Sequence, residues 1–73
     1  MDFLDAALTV LREEEAALHW TVIQDLALKR GYLDPFTQPD IRRHLLAALA
    51  VAAKEGRVVK EGTGVYSLRE LPA

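Results

Sequence analysis

Cysteine is absent from the 73 residues. That excludes disulfide staples, thiolate metal sites and cysteine nucleophiles, and it points to a reducing cytoplasm. Histidine is almost as scarce: His19 and His44 are the whole supply. Two separated imidazoles cannot complete a zinc site, so no metal is expected. The longest apolar run, Leu45 to Ala53, is nine residues, whereas a helix needs about 20 to cross a bilayer. No basic stretch followed by an apolar block opens the chain, so no signal peptide is expected. Internal repeats, linkers and low-complexity segments are also missing. Catalysis lacks its usual parts: no activated Ser, no phosphate-binding loop and no carboxylate pair in a plausible cleft. The run Glu13-Glu14-Glu15 lies at a helix end and reads as a solvated turn. The expectation is a cytoplasmic, non-enzymatic protein without cofactor.

What is present suits one small domain spanning residues 1–73. Apolar residues make up 51% and charged residues 27%, an ordinary globular balance rather than a disordered one. A chain this short buries only about 60% of its unfolded surface, so modest stability is expected. The net charge of −2 conceals a polarity. Residues 1–28 hold six acidic side chains against Arg12, a net of −5, while residues 29–73 hold eight basic against five acidic, a net of +3. Such a molecule can turn one side to a polyanion; separately solvated faces are the plainer alternative.

Phe3, Leu4, Ala7, Leu8 and Leu11 recur at helical spacing, with Val10 at the edge of the stripe, and predict a first helix over 2–14. Residues 17–20 form an apolar bridge that suits one brief strand. Thr21 followed by Gln24 is a capping-box pattern, so a second helix is expected over 22–30, stopped at Gly31. The connector after it is broken by Asp34-Pro35. Thr37 then reads as the cap of a third helix over 38–55, with Asp40 reaching back and Pro39 harmless in the first turn. Its buried stripe is Ile41, Leu45, Ala48, Leu49 and Ala52, and Gly56 ends it.

Residues 57–61 and 65–69 read as a hairpin, with Gly62 and Gly64 supplying the positive φ angles of a tight loop around Thr63. Val58, Tyr66 and Leu68 are expected inward, while Val59 could face either way. Trp20 is read as a core anchor beneath the hairpin. Leu71-Pro72-Ala73 forms a short tail. The fold class is therefore mainly α with a small β-hairpin. Three helices plus a C-terminal wing is the plan of the winged helix-turn-helix, with the third helix as recognition helix.

The segments "AALTVLRE", "LHWTVIQDLALKRGYL", "QPDIRRHLLAAL" and "GRVVKEGTGVYSLRE" together resemble the HARE-HTH winged-helix domain over nearly the whole chain. The wing carries the most specific likeness: a Gly-x-Gly tip followed by an aromatic and then Leu-Arg-Glu. The family commonly has Pro before the Leu of the bridge, where Ala17 stands here, and Phe at the start of the wing, where Val58 stands. The resemblance implies a bacterial, DNA-associated or transcription-associated module. Its relatives are fused to chromatin proteins and restriction enzymes, and a related domain sits in the delta subunit of bacterial RNA polymerase.

At 100° per residue, Arg43, Ala47, Ala50, Val51 and Lys54 fall opposite the buried stripe of the third helix, with Arg42 at the border and His44 flanking. Gln38, Arg42 and Arg43 occupy the end that reaches base edges in such proteins, and Ala47 suits a thymine methyl. Lys54, Arg57, Lys60 and the amides around Thr63 are then phosphate contacts. Double-stranded DNA is the first partner expected. The alternative is a protein, RNA polymerase among the candidates, or a second copy of the chain. It rests on the Ala47-Ala50-Val51 strip, which offers little hydrogen bonding.

Overall fold

The computed structural model describes residues 1–69; the expected tail Leu71-Pro72-Ala73 lies outside them. Three helices, α1 (Phe3–Glu14), α2 (Trp20–Lys29) and α3 (Ile41–Lys54), enclose the core. Strands β1 (Leu18–His19), β2 (Val58–Gly62) and β3 (Val65–Leu68) form an antiparallel sheet in the order β1-β3-β2. This is a winged helix-turn-helix. No helix among the described residues is long and apolar enough to cross a membrane.

Helix α1 is the central element, because α2, α3 and β3 all pack on it. Its buried face is accordingly wider than the stripe predicts: Ala6, Ala7, Val10 and Leu11 are all inaccessible, and Phe3, Leu4 and Leu8 are half-buried. Val10 is thus core rather than edge, and Ala6 joins it because neighbouring elements approach from three sides. Asp2 caps the helix by accepting from the Asp5 amide at 2.7 Å. Ile23 and Ala27 complete the core from α2, and Leu45, Leu49 and Ala52 from α3. Ile41 and Ala48, expected in the same stripe, are half-buried.

The start of α2 corrects the expected capping box. The amide of Trp20 donates to the carbonyl of Gly64 in the wing at 2.8 Å, so the helix begins at Trp20 and its cap is His19. Nδ1 of His19 accepts from the Thr21 amide at 3.3 Å and lies 2.8 Å from the Thr21 hydroxyl. Gln24, expected to return to Thr21, is left with a buried Oε1 that has no partner. Tertiary pairing with the wing displaced the local signal by one residue. Gly31 ends the helix region as expected, with φ +76°.

The start of α3 is corrected too. Thr37 is no cap, and Gln38, Pro39 and Asp40 precede the helix, which begins at Ile41. A residue before proline avoids the helical region, so Gln38 is held out of the helix. Asp40 follows with φ 55°, a left-handed conformation, and makes no capping bond. Its carboxylate accepts from Arg43 at 3.0 Å instead.

The hairpin register pairs Val58 with Leu68, Lys60 with Tyr66 and Gly62 with Val65, with an irregularity at Glu61. Directly opposed residues share a face. Val58, Tyr66 and Leu68 therefore point to the core as expected, and Val59 faces away. Of the two tip glycines, Gly64 has a positive φ, +73°, and Gly62 does not. Gly62 belongs to β2.

The acidic run is not simply a solvated turn. Arg30 donates to Glu13 at 2.7 Å and to Glu14 at 2.5 Å, and the Tyr32 hydroxyl donates to Glu13. These bonds tie the far end of α1 to the exit of α2. The hydrogen bond to Glu14 raises the Arg30 guanidinium above its ordinary value, and the one to Glu13 raises the Tyr32 phenol above 10.0. A phenol raised in the native state keeps its proton after the unfolded chain has lost it. The stabilisation is therefore complete below about pH 10 and declines as pH rises through the native value. We expect the Tyr32 ζ-carbon resonance to titrate higher in the wild-type chain than in Glu13→Gln, with the urea midpoint of the wild type falling above that pH. Coincident Tyr32 titrations in the two proteins would exclude this account.

Candidate nucleic-acid interface

The N-terminal part of α3 and the tip of the wing meet at one residue. Trp20 packs against the core with one part of its ring, its amide is bonded to the carbonyl of Gly64, and Arg42 lies 5.6 Å above the ring centroid. A guanidinium over an indole face is a favourable cation–π arrangement. The tip itself is seated tightly. A Cβ on Gly64 would stand 2.8 Å from Nε2 of His19 and 3.0 Å from Cδ1 of Trp20. Trp20 is thus a core anchor beneath the wing, as expected, and also the platform for Arg42.

Around this junction the expected site residues are distributed unevenly. Arg42, Arg43, Ala47 and Lys54 are exposed on α3, and Ala50 and Val51 accompany them. Arg43 is held by Asp40 in a well-exposed pair, both side chains being more than 60% accessible. Such a pair contributes little to stability and yields readily to a stronger anion. Arg57 precedes β2 and is 3.4 Å from Glu55. Lys60 shares the face of Tyr66 yet remains exposed, so its ammonium extends from the side of the ribbon turned to the helices. Thr63 is exposed at the tip.

Gln38 departs from the others. Its Oε1 accepts from the Asp34 amide at 2.9 Å and its Nε2 donates to the Met1 carbonyl at 2.9 Å. The side chain closes the connector and stands outside the recognition helix. His44 turns to the core side: its ring stacks at 5.0 Å on Phe3, and Nδ1 donates to the Pro39 carbonyl at 3.1 Å. Sequence reasoning missed His19, whose ring borders the wing tip. The Leu18-His19 bridge was the available signal, because a strand there had to pair with the wing.

Comparison with known proteins identifies the domain. The HARE-HTH family model, whose description names the ASXL and restriction endonuclease HTH domain, matches residues 1–71. The chain belongs to the HARE-HTH family. HARE-HTH domains are a family of DNA-binding helix-turn-helix domains, and the chain's three helices and three-stranded sheet have that architecture. No curated protein and no solved structure matches the chain. In this HARE-HTH domain the largest depression lies away from α3, between the end of α1 and the wing, with Leu11 and Leu68 among its lining. A smaller one, about 310 Å³, opens among Arg42, Arg43 and Leu46.

The seating of the wing makes a direct prediction. Gly64→Ala forces a left-handed backbone and a clash with His19 and Trp20, at a combined cost of about 2–4 kcal/mol. Gly31 also has a positive φ but open space around its Cβ, so Gly31→Ala should cost only about 1–2 kcal/mol. Urea denaturation at matched slope measures both. Equal losses at the two glycines would show that the tip is not seated on His19 and Trp20.

Proposed function

We propose that the domain binds double-stranded DNA through the exposed face of α3 and the wing, in a transcription-associated or other DNA-associated role. The observation that carries this reading is the Arg42–Trp20–Gly64 junction, which joins the N-terminal end of the recognition helix to the wing tip. A duplex lying on that junction meets base-reading and phosphate-neutralising groups together. Arg43 and Arg42 are the residues for guanine edges, and Ala47 contributes an apolar contact to a thymine methyl. Lys54, Arg57, Lys60 and the Thr63 amide region neutralise or bond phosphates. Gln38 is left out of this set, because both of its polar atoms are already bonded within the connector.

A second reading places a protein on the same helix face. It is favoured by Val51, which is 48% exposed and adjoins the exposed Ala47 and Ala50. Alanine and a single valine leave the face with few hydrogen-bonding groups, which suits a protein surface. The arginines beside the strip favour DNA.

Fluorescence anisotropy with mixed duplexes tests the first reading. Neutralising three or four phosphates predicts a log–log salt slope of about −3 to −4. Arg43→Ala should cost about 1–3 kcal/mol and relax sequence preference. Lys60→Ala should weaken all duplexes alike and reduce the slope by about one. Salt-insensitive or absent binding at low ionic strength rules the reading out, and loss of captured proteins with Val51→Asp would favour the second.

A further inference from the structure

Phe36 is the most conspicuous apolar group that neither the core nor the proposed DNA face uses. It is 94% exposed, in a chain whose other large apolar side chains are mostly covered. The loop that carries it is closely organised. Oδ1 of Asp34 accepts from the Phe36 amide at 2.9 Å, and the Asp34 carbonyl accepts from the amides of Thr37 and Gln38 at 3.2 and 2.8 Å. Gln38 returns to the Asp34 amide and ties the loop to the Met1 carbonyl, while Pro35 limits the backbone further. An aromatic held out on an ordered loop loses little conformational freedom when it docks, which is the property of an interface anchor.

The same chain offers a receptor for it. The depression among Arg42, Arg43 and Leu46 is about 310 Å³, with a half-buried apolar side chain beside two guanidinium groups. It has room for a benzyl group. The charges are complementary as well: Asp34 and Asp40 bracket the Phe36 loop, and Arg42 and Arg43 border the depression. Knob and receptor also lie close together on one molecule, since Asp40 at the end of the connector is bonded to Arg43. A patch that carries both halves of a contact is self-complementary, the condition for a two-fold interface.

We propose that two copies of the domain associate about a two-fold axis, each inserting Phe36 into the Arg42–Arg43–Leu46 depression of the other. The small area available predicts a weak, reversible dimer rather than an obligate one. The contact covers the arginines that the DNA reading uses, so dimer and duplex compete. Only this competition rests on that reading; the association does not.

Sedimentation equilibrium over a concentration series tests the proposal without DNA. The wild-type chain should rise from its monomer mass of 8.1 kDa towards twice that value. Phe36→Asp should weaken the dimer at least about thirtyfold, as loss of an interface anchor does, and leave the thermal midpoint unchanged. Leu46→Asp should act likewise. A mixture of the two variants should associate more strongly than either alone, because one knob and one receptor remain intact between them. A wild-type chain that stays monomeric overturns the proposal, as does a Phe36→Asp chain that dimerises like the wild type. A monomeric chain in which Phe36→Asp impairs only duplex binding would make Phe36 a DNA wedge and overturn it equally. If dimerisation is found and the duplex never binds, the DNA reading alone fails.

Discussion

The two-residue strand between the first two helices is the constraint on which the rest of the structure depends. A lone hairpin is at best marginally stable in water. Here Leu18 and His19 pair with Tyr66 and Val65, and the Trp20 amide continues the contact to Gly64. Those few bonds bring the wing onto the helical body and carry Tyr66 and Val58 into the core. They also decide where α2 begins, and they position the indole on which Arg42 rests. Loss of this short pairing would remove the shared geometry of helix and wing together, although the two are distant in sequence.

The uneven charge of the chain is divided between scaffold and surface. Glu13 and Glu14 serve the fold by holding Arg30, and Glu13 also accepts from Tyr32. These pairs are largely exposed, so their contribution is positional more than energetic. Arg42, Lys54 and Lys60 are in no ion pair among the described residues, and Arg43 and Arg57 are held by partners within three residues. A small negative net charge is therefore compatible with an anion-binding side, because the acidic groups are concentrated on another part of the molecule. The connector adds a different surface, polar in its backbone bonding and apolar at its one projecting side chain.

Much of the architecture was legible from residue order. Helical spacing, Gly31 and Gly56 as stops, and alternating apolar residues in the wing led to a winged helix-turn-helix, and the exposed positions of α3 follow from its 3.6-residue period. The errors share one cause. Thr21 and Thr37 are good caps by local rules, yet neither caps a helix, because the amides and side chains around them found partners elsewhere. Gln38 looked like a base-reading group since its distance from Arg42 suits a helix, but Pro39 and the Met1 carbonyl removed it from that role.

The sequence by itself determined the kinds of element, their order and the faces that periodicity assigns, since these depend on neighbours a few positions away. Only the tertiary structure decided which strand supports the wing, where Glu13 finds its cation and tyrosine, and which aromatic stays outside the core. Trp20 and Phe36 are alike in kind, each an aromatic beside polar residues. One is covered because the distant wing brings the Gly64 carbonyl to its amide, and the other is bare because its loop closes on itself. Distances between elements far apart in the chain settle such matters, and no local pattern encodes them.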